Sequence, residues 1–361
     1  MVKQPRATLA SVAAALGVSR TTVSNAYNRP DQLAPDTRER ILAAAAALGY
    51  PGPDPTARSL RTRRQGSIGV LLTEHLSYAF EDMASVDFLA GLAGASDGTN
   101  ITLIPAGPDT ASSQAQAAEL IGGAAVDGFV VYSVAAGDAY LAAAQRRGLP
   151  LVVCDQPTDS GLPFVGIDDY AAIAPAARAL VDAGHRHIGI LAIRLHRERL
   201  DGPVSPQQLG SADMHVQRSR VLGVLDVFAA AGLEREAIPV VTRHINDPAT
   251  ARAAAAELLD AHPELTAVLC TTDSMALGVL SVARERGLRV PEDLSVTGFD
   301  GISTALLADL STVIQPNKDK GAAAGRMLAR LIAEGPGEDW GTRELLPTSF
   351  HAGRTVGPPR A

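Results

Sequence analysis

The sequence predicts an all-α head joined by a short linker to a two-lobed α/β core built on parallel sheets. Three features predict it. Residues 1–50 carry three short helical patterns punctuated by Gly17 and Gly49. Pro51, Pro53 and Pro55 then interrupt any regular helix, because each lacks a backbone donor and restricts the residue before it. From Ser67 onward, apolar runs of strand length alternate with Ala-rich helical stretches, the pattern of sheets covered on both faces.

At 361 residues the chain is long enough for two domains. Apolar residues make up 46% and charged residues 20%, which excludes a disordered or collagen-like chain. Aromatics are only 4%, favouring tight helix–sheet packing over an aromatic-rich sandwich. The first ten residues contain Lys3 and Arg6 but no apolar segment of signal-peptide length. No run is long enough to span a bilayer, so the expected location is cytoplasmic. Cys154 and Cys270 sit in separate apolar runs. They read as buried, inert thiols, not as a metal pair or a disulfide framework.

The net charge of −7 taken alone argues against nucleic acid. Its distribution reverses that reading for one end. Residues 1–64 hold ten Lys and Arg against four acids, a net of +6 that leaves −13 for the remainder. A basic head on an acidic body predicts that the head alone meets a polyanion.

In the head, Thr8 is placed to cap a helix over residues 9–16 that buries Val12, Ala13 and Leu16. Gly17 ends it with the left-handed geometry of a tight corner. Ser19 caps a second helix from Arg20 to about Tyr27 that buries Val23 and Ala26. Small Ala13, turning Gly17 and apolar Val18 and Val23 stand at helix-turn-helix spacing. A third helix begins at Pro35, runs through Arg38 and Ile41 to Leu48 and stops at Gly49. The second helix exposes Arg20, Thr21 and Asn25. Arg bonds guanine and Asn bonds adenine through paired contacts in a major groove wide enough for one helix. Thr8, Ser19, Thr22, Ser24 and Asn28, together with Thr37 and Tyr50, suit contacts to the phosphate backbone.

The strand runs are IGVLL (68–72), ITLIP (101–105), GFVVYS (128–133), PLVVCD (150–155) and FVGID (164–168), then IGILAI (188–193), IPVVTRH (238–244), AVLCTT (267–272), LSVTGF (294–299) and STVIQ (311–315). Ten strands exceed one comfortable sheet and fit two lobes of about five each. Ligands in such folds sit at the carboxyl ends of strands. Those ends carry Asp155, Asp168, Thr272, Asp273, Asp300 and Gln315. Carboxylates and amides in a cleft suit hydroxyl-bearing ligands such as sugars or nucleosides, although a single Asp there serves equally as a helix cap. No dinucleotide, phosphate-loop or nucleophile-elbow motif follows a strand, so neither cofactor nor metal is expected. His185 and His187 alternate ahead of a strand without further ligands and read as structural.

The segment TLASVAAALGVSRTTVSNAYNRPDQLAPDTRERILAAAAALGY resembles, without gaps, the DNA-binding head of the lactose/galactose repressor (LacI/GalR) family. ARSLRT (57–62) resembles that family's hinge helix. The resemblance implies that the hinge helices of two subunits pack in the minor groove. Leu60 would wedge between base pairs there, with Arg58 and Arg61 on the flanking backbone. The connector PGPDP is one residue longer than usual, and Ala34 stands where a capping Ser is common. VDGFVVYS, PLVVCD, LVDAGHRHIGILAI, TTDSMALGVLSVARERGLRVPEDLSVTGFD and STVIQP are similar to the family's ligand-sensing core, a type I periplasmic-binding-protein-like fold. By that resemblance Arg220 in RSRVLG bonds effector, and Asp300 in VTGFD faces it across the ligand. Asp155, Asn246, Thr272 and Gln315 line the same cleft. Tyr78 and Phe80 supply an aromatic lid, with Glu74 and Asp82 nearby. Asn246 stands where relatives carry a stacking aromatic. Residues 193–214 exceed the usual loop length. Arg194, Arg197 and Arg199 within them either face the cleft, favouring an acidic or phosphorylated ligand, or lie on a solvated surface.

The expected organisation is a head at 1–50, a linker and hinge helix at 51–65 and a core at 66–361. The core's first lobe takes about 66–166 and 316–340, and its second about 167–315 plus the tail. The expected function is a ligand-responsive transcription regulator, a repressor as is commonest in the family. It binds a near-palindromic operator as a homodimer and holds a sugar, sugar derivative or nucleoside between its lobes, with no membrane partner. Whether ligand releases DNA or is required for it is open. HAGRTVGPPRA after Phe350 has no leucine heptad, so a dimer is expected without a tetramer-forming helix. Two rivals are weighed. A sugar- or nucleoside-processing enzyme with a fused head requires a nucleophile or cofactor motif. A solute-binding transport component requires a signal peptide and no basic head.

Overall fold

The computed structural model describes residues 7–53, 64–72, 76–105, 114–335 and 342–360. The chain divides into two compact units, Met1–Gln65 and Gly66–Ala361. The first unit contains α1 (Leu9–Leu16), α2 (Arg20–Asn28) and α3 (Pro35–Ala47). Their starts follow from their caps. Thr8 Oγ1 accepts from Ser11 N at 3.2 Å while Ser11 Oγ accepts from Thr8 N at 2.9 Å, a reciprocal box that satisfies two otherwise orphaned donors. Ser19 Oγ accepts from Thr22 N at 3.0 Å. Gly17, at φ 65°, turns the chain between α1 and α2. Val12, Ala13, Val23, Ala26, Ile41 and Ala45 form the core of the unit. A single 3-10 turn, Pro30–Gln32, interrupts the stretch between α2 and α3.

The strands of the second unit are β1 (Ser67–Leu72), β2 (Asn100–Pro105), β3 (Phe129–Tyr132), β4 (Leu151–Cys154), β5 (Phe164–Gly166), β6 (Ile188–Ile193), β7 (Gly202–Pro203), β8 (Val240–Arg243), β9 (Ala267–Cys270), β10 (Ser295–Asp300), β11 (Ser311–Ile314), β12 (Arg343–Leu345) and β13 (Ser349–His351). The ten expected runs all form strands. Two sheets result, of order β12-β5-β4-β3-β1-β2 and β13-β11-β10-β9-β6-β8-β7. The first is parallel throughout. The second is parallel except for its outermost strands β7 and β13. Each sheet separates two apolar clusters, so each lobe is a three-layer sandwich. The tail departs from expectation. It does not belong wholly to the second lobe, because β12 pairs with β5 and extends the first sheet before β13 returns to β11. Without β12, β5 would present an unpaired backbone edge.

The chain enters the second lobe after β5, returns to the first after β11 and crosses again between β12 and β13. The return leads into the helix Asn317–Glu334, which packs on the first sheet and against the helix Met83–Gly94. Two glycines allow that approach. A Cβ on Gly321 would collide with the backbone carbonyl of Phe88, and one on Gly91 with that of Lys318. Among the described residues no helix is long and apolar enough to cross a membrane. Gly321→Ala should destabilise the core by about 1–3 kcal/mol through forced separation of the two helices. Denaturant unfolding checks this, and an unchanged midpoint would show that the pair separates without cost.

Candidate functional site

The head presents one polar helix face. Arg20, Thr21, Ser24, Asn25 and Asn28 occupy the side of α2 opposite buried Val23 and Ala26, and Arg20 and Thr21 are exposed. Asn25 Nδ2 donates weakly to Gln32 Oε1 at 3.4 Å, a contact a base edge would displace at small cost. The surrounding hydroxyls and amides serve the fold as well. Thr8 and Ser19 are caps, Ser19 Oγ and Thr22 Oγ1 are 2.8 Å apart, and Asn28 Nδ2 donates to Ser24 O at 3.0 Å. Thr37 is half-buried near the start of α3, and Tyr50 sets its ring edge-on to Tyr27 at 6.0 Å. Arg58, Leu60 and Arg61 lie outside the described residues.

The core holds a cavity at the carboxyl ends of β3, β4, β10 and β11, between the lobes. It offers about 90 Å3 to the centre of a water molecule. At roughly 10–15 Å3 of such space per water, it suits one ligand of monosaccharide size. Asp155, Arg220, Asn246, Thr272, Asp300 and Gln315 all line it. Phe80 does not, being 61% exposed. An aromatic lid from Phe80 is therefore not formed, since the short helix Leu76–Glu81 turns that ring outward. The side chain of Tyr78 and the whole of Glu74 lie outside the described residues. Asp82 joins the lining, while its carboxylate caps the helix Met83–Gly94 by accepting from Ser85 N at 3.0 Å.

Arg220 and Asp300, expected to face each other across the ligand, instead pair directly. Both belong to the second lobe, and Arg220 Nη1 reaches Asp300 Oδ1 directly at 3.4 Å. The guanidinium is fixed more firmly elsewhere. Its Nε donates to Asp169 Oδ1 at 2.8 Å and its Nη1 to Thr271 O at 2.9 Å, and it stacks 3.7 Å from the Phe299 ring centre. Gln315 Nε2 donates to Asp300 Oδ1 at 2.6 Å. Gln315 Oε1 accepts from Lys320 Nζ at 2.8 Å, and the same ammonium bonds both oxygens of Asp155 at 2.8 and 2.9 Å.

Asp169 and Lys320, which bond the lining residues, and Gln217, which lines the cavity, escaped the sequence reading. Lys320 left one signal: it lies on the stripe of Ala323, Ala324, Met327 and Leu331, the face of its helix that turns inward. Asp169 left none beyond its place beside a capping aspartate.

Burial is the dominant force on the acids here. It raises the Asp300 carboxyl well above the usual range, as does the nearby charge of Asp273, and Arg220 opposes the shift only in part. Burial likewise raises Asp169 against Arg220 and pushes Asp273 up to about 6. For Arg220, burial pulls down but the flanking carboxylates more than restore the charge. Ser133, Asp155 and Asp300 hold left-handed backbone at φ 55°, 66° and 123°. Such conformations cost about 1–3 kcal/mol each and persist where surrounding structure fixes them. Here they turn polar side chains from three strand ends toward one point.

The long 193–214 segment splits its arginines. Arg194 is buried and lines the cavity, its Nε donating to His244 O at 3.1 Å. Arg197 bonds Gly137 O at 2.9 Å, and Arg199 is largely exposed and pairs with Asp201 at 2.8 Å. His185 is structural, bonding Thr266 Oγ1 at 2.8 Å and Gly357 O at 2.9 Å. Burial raises the thiols of Cys154 and Cys270 well above their ordinary range.

The direct pairing changes what loss of Arg220 should do. Arg220→Ala leaves Asp169 and Asp300 buried without their cation, and should cost about 3–5 kcal/mol of core stability. Chemical denaturation reads this, and a loss under about 1 kcal/mol would mean that water replaces the guanidinium freely.

Two family models match the chain. One is described as bacterial regulatory proteins, lacI family, over residues 8–52; the other is a periplasmic binding protein-like domain, over residues 177–356. The HTH-type transcriptional regulator IpsA of Corynebacterium glutamicum is 54% identical over 358 residues, covering 99% of each chain. The crystal structure of a LacI-family transcriptional regulator from the same species superimposes with a TM-score of 0.77 at 50% identity, over 98% of this chain and 100% of that one. The transcriptional regulator CelR in complex with cellobiose gives a TM-score of 0.69 at 28% identity, over 97% and 100%. With both family models matched and relatives similar along nearly its whole length, the chain belongs to the LacI family of bacterial transcription regulators.

Proposed function

We propose that the protein is an effector-responsive repressor that binds a near-palindromic operator as a homodimer in the cytoplasm. One α2 enters each half-site. The reading is carried by the union, in one chain, of a polar helix face on a basic head with a polar cavity between the lobes of the core. The head takes 1–50, the linker and hinge 51–65 and the sensing core 66–361. Leu60, flanked by Arg58 and Arg61, is the minor-groove wedge. Leu307, 87% exposed beside Leu306, offers apolar surface for self-association.

The effector is a sugar, sugar derivative or nucleoside. The lining is rich in carboxylates and amides, which accept and donate to hydroxyl groups, and CelR holds cellobiose in the same fold. Ligand binding changes the angle between lobes, so ligand and operator affinities are reciprocally coupled. Because Arg197 and Arg199 are engaged outside the cavity, they give no reason to favour a phosphorylated ligand.

Two outcomes check this reading. Asn25→Ala should lose about 1–3 kcal/mol of discrimination at one base pair in each half-site. Selection from random DNA measures it, and an unchanged preference would displace α2 from the major groove. Asp300→Asn keeps the side-chain shape but weakens every bond a ligand hydroxyl donates to it. Operator binding should persist while the response to effector is lost or moves to roughly tenfold higher concentration or more. A thermal-shift panel of sugars, sugar derivatives and nucleosides supplies the titrant, and a wild-type dose response from the variant would refute the assignment.

A further inference from the structure

Lys320 is 1% exposed and does not itself line the cavity. Its ammonium nevertheless sits in the middle of one unbroken polar chain. From the first lobe, Asp155 at the end of β4 meets Lys320 through both carboxylate oxygens. Lys320 then holds Gln315 Oε1, at the point where the chain leaves β11 for the first lobe. Gln315 Nε2 continues to Asp300 Oδ1, and Asp300 continues to Arg220 and Asp169 in the second lobe. Every link lies between 2.6 and 3.4 Å.

The chemistry of an amide makes Lys320 decisive within this chain. A carboxamide has one accepting and one donating end. An ammonium only donates, so it draws Gln315 Oε1 to itself and turns Nε2 toward Asp300. Both protein bonds to Asp300 then fall on Oδ1. Oδ2 is left as the acceptor for a ligand. We propose that Lys320 is a positioning residue for the effector: through Gln315 it selects which oxygen of Asp300 is offered, and it ties that choice to the arrangement of the two lobes. Lys320 touches no ligand. It acts through Gln315, which crosses the lobe boundary, so a rotation of one lobe against the other strains the Lys320–Gln315–Asp300 links directly.

The inference rests on the cavity being the effector site. The test uses the full-length protein, its selected operator and the same panel of sugars, sugar derivatives and nucleosides, with melting temperature measured in parallel. Lys320→Met removes the donors while keeping length and apolar bulk. Lys320→Arg keeps charge and donors. Loss of one charge-assisted bond corresponds to a roughly tenfold or greater change in affinity. The Met variant should therefore need at least about that much more effector for half-response. The Arg variant should recover most of the response. If the Met variant does not fold, Lys320→Gln substitutes, since its amide donates to the same acceptors from one bond shorter, and it should show an intermediate shift. A Met or Gln variant that melts earlier but responds at the wild-type concentration would overturn the proposal, reducing Lys320 to a counter-ion for Asp155. A wild-type protein silent to the whole panel would overturn the effector reading, and this inference with it.

Discussion

Ionised groups withdrawn from water are tolerable only when each finds a partner, and the core of this protein withdraws many of them at one place. Asp155, Asp169, Asp273 and Asp300 are all buried where the lobes meet, as are Arg194, Arg220 and Lys320. Left alone, any one of these would cost several kcal/mol. The carboxyl ends of β4, β10 and β11 must therefore arrive close together, and the helices bearing Arg220 and Lys320 must project into the same small volume. The left-handed residues at strand ends are the local consequence. Straight strand continuations would point Asp155 and Asp300 away from Lys320 and Arg220, the cations they bond.

That same cluster sets the character of the cavity. Carboxylates outnumber cations around it, and the cations are already bonded to protein oxygens. The result is a wall rich in acceptors and poor in uncommitted positive charge, which receives hydroxyl donors well and anions badly. Asp273 illustrates the internal use of such groups. It accepts from Ile302 N at 2.9 Å and Thr312 Oγ1 at 2.6 Å and so ties the exits of β9 and β10 to β11 without lining the cavity. A sequence motif that holds Thr272 and Asp273 side by side thus divides its labour: Thr272 lines the cavity and Asp273 holds its frame.

The head works under a different constraint. It is too small to bury charge, so its six-residue apolar core is supported by caps. Thr8, Ser11 and Ser19 satisfy helix starts, and Asn28 satisfies a carbonyl of its own helix. These groups lie around the recognition face because helix starts are where both backbone donors and phosphate oxygens are met. Their intramolecular bonds prearrange the surface around Arg20, Thr21 and Asn25, the residues proposed to distinguish sequences.

Much of this was legible in the residues alone. The ten main strands announced themselves because a parallel strand buried on both faces is a continuous apolar run, as in LVVC and AVLC. The head was legible because its caps and corner act within a few residues of chain. Motif resemblance named Asp155, Arg220, Asn246, Thr272, Asp300 and Gln315, which the fold brings to one cavity. The strands β7, β12 and β13 were not legible, because each is two or three residues long, largely unburied and stabilised only by the neighbour it pairs with. Tertiary structure alone also decided that Arg220 meets Asp300 side by side in one lobe, that Phe80 turns outward and that a lysine is buried under the cavity. Lys320 and Asp155 are 165 residues apart. A lysine in a helix reads as solvated until the fold places a carboxylate beside it, and that juxtaposition depends on the crossover after β11, which no local pattern encodes.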